Sequence, residues 1–395
     1  MKAGDYQVVL VTAAVILGFV LKNQVRENPD KNTVNVAIGQ WGTTQNESQN
    51  YWNPDNHAVA KGMGGYYFIQ TTDGISKIAF FDETTQEAVA VCAKPECTHS
   101  DNTCNAYLCD MKQTGSALYL TDTIYCYNGY LYLIQCEGGK LVRIHTDGSA
   151  RETIADLFAN TGVSSISLVF HENDVYAYDD TGHAGQEEEA EEVIKKISLT
   201  DGTEQTVFSY TGTGASIDRG RSFGDKLYFV IREYTKNKET KAVSSDYKGL
   251  FEYDFATGDT RMVIDADVCD YHADTENQML FYFVQGTGLY AYDMTQGSNT
   301  LIYPAEDELI QCKMSYDGKN LYLFNNGAGR ATETKTRTQR YCYVLDTKGN
   351  QIAKILCNGV VYFGDTDYLF EENGDNLEYM KKENLSDKSE WILIN

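Results

Sequence analysis

The sequence is poor in proline and in basic residues. Only 4 of its 395 residues are proline, and 33 lysines and arginines stand against 57 aspartates and glutamates, which gives a formal net charge of −24. A surface of this charge repels the phosphates of nucleic acids and the headgroups of anionic lipids. Nucleic acid is therefore excluded as a partner, and membrane contact is expected only through the N-terminal segment.

The sequence also lacks the familiar catalytic motifs. It contains no Gly-x-Ser-x-Gly elbow, His-Glu-x-x-His helix, phosphate-binding glycine loop or complete EF-hand loop. Residues 363–367, Phe-Gly-Asp-Thr-Asp, begin like a calcium loop but lack the later ligands, so an acidic turn is predicted there. No catalytic or cofactor-binding residue is assigned, because 57 acidic residues offer too many carboxylate pairs to single one out.

Aromatic residues and glycine, by contrast, are abundant. The chain has 29 tyrosines, 16 phenylalanines and 33 glycines. Aromatic side chains suit the half-buried surface of a pleated sheet, and glycine suits the tight turns between short strands. This balance is typical of an all-β protein.

A repeated unit runs through most of the chain. Each copy has a turn with Gly, Asn or Asp, an aromatic strand, a variable loop, a second aromatic strand ending near Asp, a Gly-containing turn and an apolar strand. The clearest copy is residues 224–264. Seven copies begin near Tyr66, Tyr130, Val175, Leu227, Leu280, Leu321 and Tyr368.

The spacing of these copies predicts a β-propeller. They start 41 to 64 residues apart, close to the about 40 to 50 residues of a propeller blade. A small sheet with two faces to cover is stabilised by stacking radially against its neighbours. We therefore predict about seven four-stranded antiparallel blades over residues 58–395. Six or eight blades remain open, and a β-sandwich is the alternative fold.

The N-terminal region has the pattern of an export signal. Residues 8–21 are uncharged and apolar, follow Lys2 and stop at Lys22. The run is shorter than the about 20 residues of a comfortable membrane span and matches the apolar part of a signal peptide. Residues 1–22 are thus predicted to form a hydrophobic helix, as a removed signal peptide or an uncleaved anchor, with a buried helix of the domain as the alternative. Residues 23–57 are polar and predicted to be a spacer.

The densest group of chemically active side chains lies in a cysteine-rich insertion, residues 92–109. Cys92, Cys97, His99 and Cys104 could close a tetrahedral zinc site, because thiolates and imidazole suit zinc and the intervening Pro and Asx residues allow sharp turns. With all four positions filled by protein, such a zinc ion would be structural.

Disulfides are the competing interpretation of the same insertion. Cys92, Cys97, Cys104 and Cys109 allow three connectivities, for example Cys97 with Cys104 and Cys92 with Cys109, and free thiols are a third alternative. His99 favours the metal, because a disulfide would not need it. Six further cysteines lie mostly in apolar strand patterns and are predicted to be core residues. They are Cys126, Cys136, Cys269, Cys312, Cys342 and Cys357.

Together these features resemble extracytoplasmic β-propeller surface proteins and lipoproteins of Gram-positive bacteria. The resemblance is carried by the apolar N-terminal run, the polar spacer, the blade sequence Leu-Tyr-Ala-Tyr-Asp at 289–293 and the stretch from Val91 to Ala106. It implies a location outside the cytoplasm at the cell surface, either membrane-anchored or secreted. Lipoprotein members carry a lipid-attached cysteine after the signal, which this sequence lacks, so the hydrophobic helix would be the substitute.

Three classes of function fit these observations. The preferred one is an exported binding module that recognises a protein, peptide or glycan through blade loops, where Tyr234 and Tyr247 could stack on sugars or equally pack within a blade. The second is a propeller-type enzyme acting on polysaccharide or peptide, which an apolar-walled central pocket with two facing carboxylates would indicate. The third is a structural envelope protein, which would have no ligand pocket.

Overall fold

The computed structural model describes residues 35–36, 58–115, 118–136, 139–158, 166–179, 188–236, 239, 243–325, 339–374 and 376–394. The predicted N-terminal helix and nearly all of the predicted spacer lie outside these residues. Within them, no helix is both long enough and apolar enough to cross a membrane.

The described chain folds into seven antiparallel sheets, which are the blades of a propeller. They are preceded by the two-residue strand β1 (Asn35–Val36). Blade 1 has β2 (Val59–Gly62), β3 (Gly65–Thr72), β4 (Ile75–Asp82), β5 (Ala88–Ala90) and β6 (Tyr107–Asp110). After the short helix α1 (Met111–Thr114), blade 2 has β7 (Tyr119–Tyr127), β8 (Tyr130–Gln135), β9 (Lys140–His145) and β10 (Arg151–Asp156). Blade 3 has β11 (Ile166–His171), β12 (Asp174–Asp179), β13 (Glu189–Ser198) and β14 (Glu204–Thr213).

The remaining four blades follow in the same chain order. Blade 4 has β15 (Ala215–Phe223), β16 (Lys226–Lys236), β17 (Val243–Asp254) and β18 (Thr260–Asp265). Blade 5 has β19 (Val268–Asp274), β20 (Met279–Val284), β21 (Gly288–Asp293) and β22 (Ser298–Pro304). Blade 6 has β23 (Lys313–Tyr316), β24 (Asn320–Phe324), β25 (Arg340–Asp346) and β26 (Gln351–Cys357). Blade 7 has β27 (Val360–Tyr362), β28 (Tyr368–Asn373), β29 (Asn376–Lys381) and β30 (Ile392–Leu393).

The prediction of seven four-stranded blades is confirmed, with β5 and β6 both pairing with β4 in the place of the fourth strand of blade 1, and the six-blade, eight-blade and sandwich alternatives are removed. Each predicted repeat start falls in the second strand of a blade, from Tyr66 in β3 to Tyr368 in β28. The repeat seen in the sequence therefore covers the second, third and fourth strands. The first strands contact one another between blades, as β2 contacts β7 and β19 contacts β23.

The aspartate that recurs in the repeat shapes the turn after the third strand. Asp254 Oδ1 accepts hydrogen bonds from the backbone N–H groups of Ala256 and Thr257, both at 2.9 Å. Gly258 closes the turn at a φ of +76°, which a residue with a side chain rarely adopts. These bonds satisfy amide groups that no neighbouring strand reaches. The same bonding occurs at Asp82 and Asp293, and Asp346 Oδ1 accepts from the N–H groups of Lys348 and Asn350.

A buried ion pair joins the innermost strands of blades 4, 5 and 6. Arg221 in β15 places Nη1 2.8 Å from Oδ1 of Asp270 in β19, and both side chains are fully enclosed. Arg221 Nη2 donates to the carbonyl of Met314 in β23 at 2.9 Å, and the Met314 N–H donates to Asp270 Oδ2 at 2.7 Å. Because the partners lie on three blades and hydrogen bonds are directional, they fix the relative positions of those blades.

Blades 1 and 7 close the ring without a shared strand in the described part of the chain, and side chains hold them together. Tyr66 of blade 1 packs edge-on against Phe370 and Tyr368 of blade 7, with ring centroids 4.8 and 5.4 Å apart. Phe81 and Tyr379 add a further aromatic contact between the same two blades at 5.1 Å. We call this contact the seam.

The seam also contains a buried polar contact. Tyr66 donates its hydroxyl proton to Asp365 Oδ1 at 2.7 Å. Lys61 Nζ lies 3.0 Å from Asp365 Oδ2 and 2.6 Å from Glu83 Oε1. Burial by itself raises the pKa of Asp365, but hydrogen bonds from Tyr66, the Asp367 N–H and Lys61 outweigh it and hold that pKa below its ordinary value.

We expect Tyr66→Phe to lower the free energy of unfolding by about 1.5 to 3 kcal/mol, because it removes a hydrogen bond to a charged group. Tyr67→Phe is the matched control, since the Tyr67 hydroxyl donates to the neutral carbonyl of Thr146 in blade 2 at 3.2 Å. The control should lose only about 0.5 to 1.5 kcal/mol. Denaturant titration of both variants measures the difference, and equal losses would contradict a special contribution of the seam.

The seam should also weaken in acid. Since the folded-state pKa of Asp365 is lowered, its contribution to stability is present above the ordinary Asp pKa of about 4 and is lost as pH falls through the lower folded value. We expect the difference in unfolding free energy between the wild type and Asp365→Asn to be largest near neutral pH and to shrink below about pH 4. Urea titrations across this range measure it. A difference that does not change with pH would be the opposing result.

Candidate metal centre and ligand pocket

The cysteine-rich insertion interrupts the outermost strand of blade 1. The backbone N–H of Val91 donates to the Ile78 carbonyl at 3.0 Å, and the Ile78 N–H donates to the Ala106 carbonyl at 2.9 Å. The chain thus leaves the sheet and returns to it at one residue of β4, and residues 92–105 form a loop outside the sheet. Cys109 lies beyond this loop, in β6.

The four predicted zinc ligands converge in this loop. One ligand atom from each of Cys92, Cys97, His99 and Cys104 lies within 4.8 Å of the other three. His99 Nδ1 is 3.3 Å from Cys104 Sγ. Cys104 is buried and the other three are half-buried. Three sulfurs and one imidazole nitrogen form a donor set that zinc prefers, so the residues present fit a zinc ion. We call this group the Cys3His cluster.

Two tight turns bring the ligands together. The Cys97 N–H donates to the Lys94 carbonyl at 3.3 Å, and the Cys104 N–H donates to the Asp101 carbonyl at 3.1 Å. The Lys94 N–H lies 3.4 Å from Cys92 Sγ, in the geometry of a hydrogen bond to sulfur. Backbone donors of this kind stabilise a thiolate.

The thiols of the cluster differ in their electrostatic surroundings. The His99 N–H and the neighbouring thiols of Cys104 and Cys92 hold the pKa of Cys97 below its ordinary value, and the Lys94 ammonium adds to the effect. Burial raises the pKa of Cys104 to about 11. Keeping three thiolates this close together needs a compensating cation, which a divalent metal would supply.

The loop is fastened to blade 2 as well as to blade 1. Asn105 Nδ2 donates to the Gly148 carbonyl at 2.8 Å, and Arg151 Nη2 donates to the carbonyls of Asn105 and Tyr107. Gly148 has a φ of +76°, and a Cβ there would lie 2.5 Å from the Val91 carbonyl oxygen. The base of the insertion therefore bridges the two blades.

All ten cysteines are unpaired in the structure. The disulfide pairings within the insertion therefore stay a prediction. Four of the six predicted core cysteines are buried, namely Cys269, Cys312, Cys342 and Cys357. Cys126 and Cys136 are only half-buried; Cys126 is the last residue but one of β7, and Cys136 follows the end of β8.

A polar pocket of ≈ 440 Å³ lies where the turns of blades 1, 6 and 7 meet. Its charged lining residues are Glu83, Asp317, Lys319, Asp367, Lys381, Lys382 and Glu383. These side chains come from turns and strand ends rather than from the innermost strands. We call it the seam pocket.

The floor of the seam pocket is an enclosed ion pair. Lys382 Nζ lies 3.6 Å from Asp317 Oδ2, donates to the Asp365 carbonyl and lies 4.2 Å from the centre of the Tyr322 ring. Tyr322 donates its hydroxyl proton to Asp317 Oδ2 at 2.7 Å. Burial lowers the pKa of Lys382 to about 8, against the opposing effects of the Asp317 and Asp365 carboxylates. The charged and hydrogen-bonding groups of the floor thus have their partners within the protein.

The rim of the seam pocket is acidic where blades 1 and 7 meet. Carboxylate oxygens of the lining residues Glu83 and Asp367 and of the buried Asp365 lie within 4.8 Å of one another. The Lys61 ammonium contacts Glu83 and Asp365, so ion pairing within the protein explains these two. Asp367 is exposed and has no ion pair among the described residues.

The two aromatic residues proposed for sugar stacking are not on exposed loops. Tyr247 lies in β17 and is only 3% exposed. Tyr234 lies in β16, half-buried, with the Arg232 guanidinium 4.8 Å from its ring centre. The idea of an exposed Tyr247 was wrong, because the strands of blade 4 extend further than the repeat pattern indicated and carry these residues into the sheet.

Comparison with known proteins gives structural similarity alone. No protein-family model matches the chain, and no curated protein matches it. A chain in a crystal structure of the mitotic checkpoint complex is 8% identical, with 94% of this chain and 98% of that chain covered and a TM-score of 0.46. A chain in a nidogen/laminin complex is 12% identical, with coverages of 73% and 92% and a TM-score of 0.40. An oligogalacturonate lyase in complex with manganese is 9% identical, with coverages of 75% and 94% and a TM-score of 0.38. Similarities this low carry no argument about function.

Proposed function

We propose that this chain is an exported, membrane-associated binding module that recognises a protein, peptide or glycan through the loops of its propeller. The observation that carries the proposal is the seam pocket, whose ≈ 440 Å³ falls within the about 300 to 1,000 Å³ of ligand sites. It is built from turns on a rigid frame, which is where binding residues concentrate.

The properties of the pocket favour binding over the two other classes of function. An enzyme acting on polysaccharide or peptide was expected to have an apolar-walled central pocket with two facing carboxylates. The seam pocket is lined mainly by charged side chains from the turns and strand ends of blades 1, 6 and 7, and Asp317 at its floor is held by Lys382 and Tyr322. A purely structural envelope protein was expected to have no pocket.

Export and membrane association rest on residues 1–22, as a signal peptide or an uncleaved anchor. An extracytoplasmic, cell-surface location agrees with the resemblance to surface proteins of Gram-positive bacteria and with the formal net charge of −24, which keeps a protein soluble and away from anionic lipid. In this setting residues 23–57 would hold the propeller off the membrane.

A second proposal concerns the Cys3His cluster, which we infer holds a structural zinc ion. The convergence of Cys92, Cys97, His99 and Cys104 supports it, because thiolates and imidazole complete a closed tetrahedral site. Such an ion would fix the loop 92–105, whose two ends meet at a single residue of β4. It would supply folding energy to the loop rather than chemistry.

We expect the full chain, purified in detergent without reductant, to contain about one zinc per chain. Cys97→Ser should lose most of the zinc, and Cys126→Ser, a half-buried cysteine outside the cluster, should keep it. Elemental analysis gives the metal content, and thiol titration should find the ligand cysteines protected until a chelator is added. Zinc-free protein whose thiols appear only after reduction would establish the disulfides instead.

The binding function can be tested by screening the same purified chain on glycan and peptide arrays. We expect at least one ligand that is recovered unchanged after long incubation and whose affinity falls at least about tenfold in Lys381→Glu, since a pocket charge is reversed. Lys348→Glu is the matched control. Lys348 is exposed in the turn after the third strand of blade 6, whereas Lys381 ends the third strand of blade 7, and Lys348 does not line the pocket.

The other results of this screen are informative as well. A ligand that is cleaved or otherwise converted would support the propeller enzyme. A screen without ligands on either array would support the structural envelope protein.

A further inference from the structure

The seam pocket offers charges of both signs to a ligand. Two of its acids are already engaged, since Asp317 pairs with Lys382 and Glu83 pairs with Lys61. Four charged side chains remain exposed and have no ion pair among the described residues. They are Lys319, Lys381, Asp367 and Glu383.

The acidic rim supplies one half of the recognition. The carboxylates of Glu83, Asp365 and Asp367 lie within 4.8 Å of one another, and the Lys61 ammonium contacts the first two but not Asp367. One ammonium leaves an excess of negative charge at this rim. An ammonium group from a ligand would balance it, with Asp367 as its most accessible acceptor.

The exposed lysines supply the other half. Lys319 projects from the turn between β23 and β24, and Lys381 ends β29, so the two come from neighbouring blades and line the same pocket. Two unpaired ammonium groups favour a carboxylate, which can accept hydrogen bonds from both.

Other ligand classes fit this lining poorly. The four acidic side chains would repel a polyanion, and the three lysines would repel a lone divalent cation. A sugar would gain little from stacking, because the rings of Tyr322 and Tyr368 are 0% and 7% exposed. A ligand that carries an ammonium and a carboxylate together satisfies both halves.

We propose that the seam pocket binds a short peptide by its free amino and carboxyl termini, with Asp367 contacting the ammonium and Lys319 and Lys381 contacting the carboxylate. The inference rests on the proposed binding function and specifies its ligand. A space of ≈ 440 Å³ is about 7 to 8 Å across, which matches about two extended residues at ~3.3 to 3.6 Å each.

The position of the pocket gives the ligand a measurable effect on the fold. Its lining comes from blades 1, 6 and 7, so a bound peptide would join both sides of the seam. A ligand that binds only the folded chain stabilises it by mass action. The unfolding midpoint should therefore rise with peptide concentration.

The test uses the full chain in detergent and a set of dipeptides in four forms: free, N-acetylated, C-amidated and doubly capped. We expect calorimetry and thermal unfolding to detect the free forms, with at least about a tenfold loss of affinity for each cap. Lys381→Gln should reduce the effect of amidation, because only Lys319 then contacts the carboxylate, and Asp367→Asn should reduce the effect of acetylation. Such pairing of variant and cap isolates each contact as in a double-mutant cycle.

Matched controls are Lys348→Gln and Glu276→Gln, because both residues are exposed in turns of blades 6 and 5 and neither lines the pocket. Both should bind the free dipeptides like the wild type. Doubly capped dipeptides that bind as tightly as free ones would overturn the proposal. So would the absence of any dipeptide binding, if a glycan or longer peptide from the arrays still depends on Lys381. That second outcome would leave the binding function in place, whereas a lack of any ligand would remove both.

Discussion

Closure of the ring at the seam is the constraint on which the rest of the propeller depends. If blades 1 and 7 separated, each would expose an apolar face to water. Among the described residues these blades share no strand, so the aromatic contacts of Tyr66 and its hydrogen bond to Asp365 hold the ring. Loss of either partner removes a buried hydrogen bond to a charged group, and because such a bond is directional, the contact is specific as well as stabilising. The seam pocket exists only when the contact is made.

Similar buried polar contacts recur between other blades. Arg221 and Asp270 join blades 4, 5 and 6, and Lys382 and Asp317 join blades 7 and 6. Apolar packing is non-directional and tolerates sliding of one sheet on the next, whereas hydrogen bonds do not. The blades are thus driven together by aromatic and aliphatic side chains, and their relative positions are set by a few charged ones.

This division between apolar packing and a few charged contacts explains which parts of the structure could be predicted from the sequence. The second to fourth strands were recognisable, because their aromatic alternation and turn aspartates are local features. The first strands were missed: β15 contains Ser216, Asp218 and Arg221, and so reads as polar although all nine of its residues are buried. Arg221 bonds to residues of blades 5 and 6 that are distant in sequence, so no local pattern reveals its partners. The Cys3His cluster was predicted because its ligands are close together in sequence, whereas the lining of the seam pocket runs from Glu83 to Glu383.

The two candidate sites therefore relate to the fold in opposite ways. The loop 92–105 leaves the sheet and returns to it at Ile78. Its residues can therefore change while the backbone hydrogen bonds of β5 and β6 to β4 continue on either side of it. A metal there would stabilise the loop and its contact with blade 2. The seam pocket forms only when the ring is closed, because three blades contribute to it. Binding in the pocket and closure of the ring are consequently linked, and each stabilises the other by the same free energy.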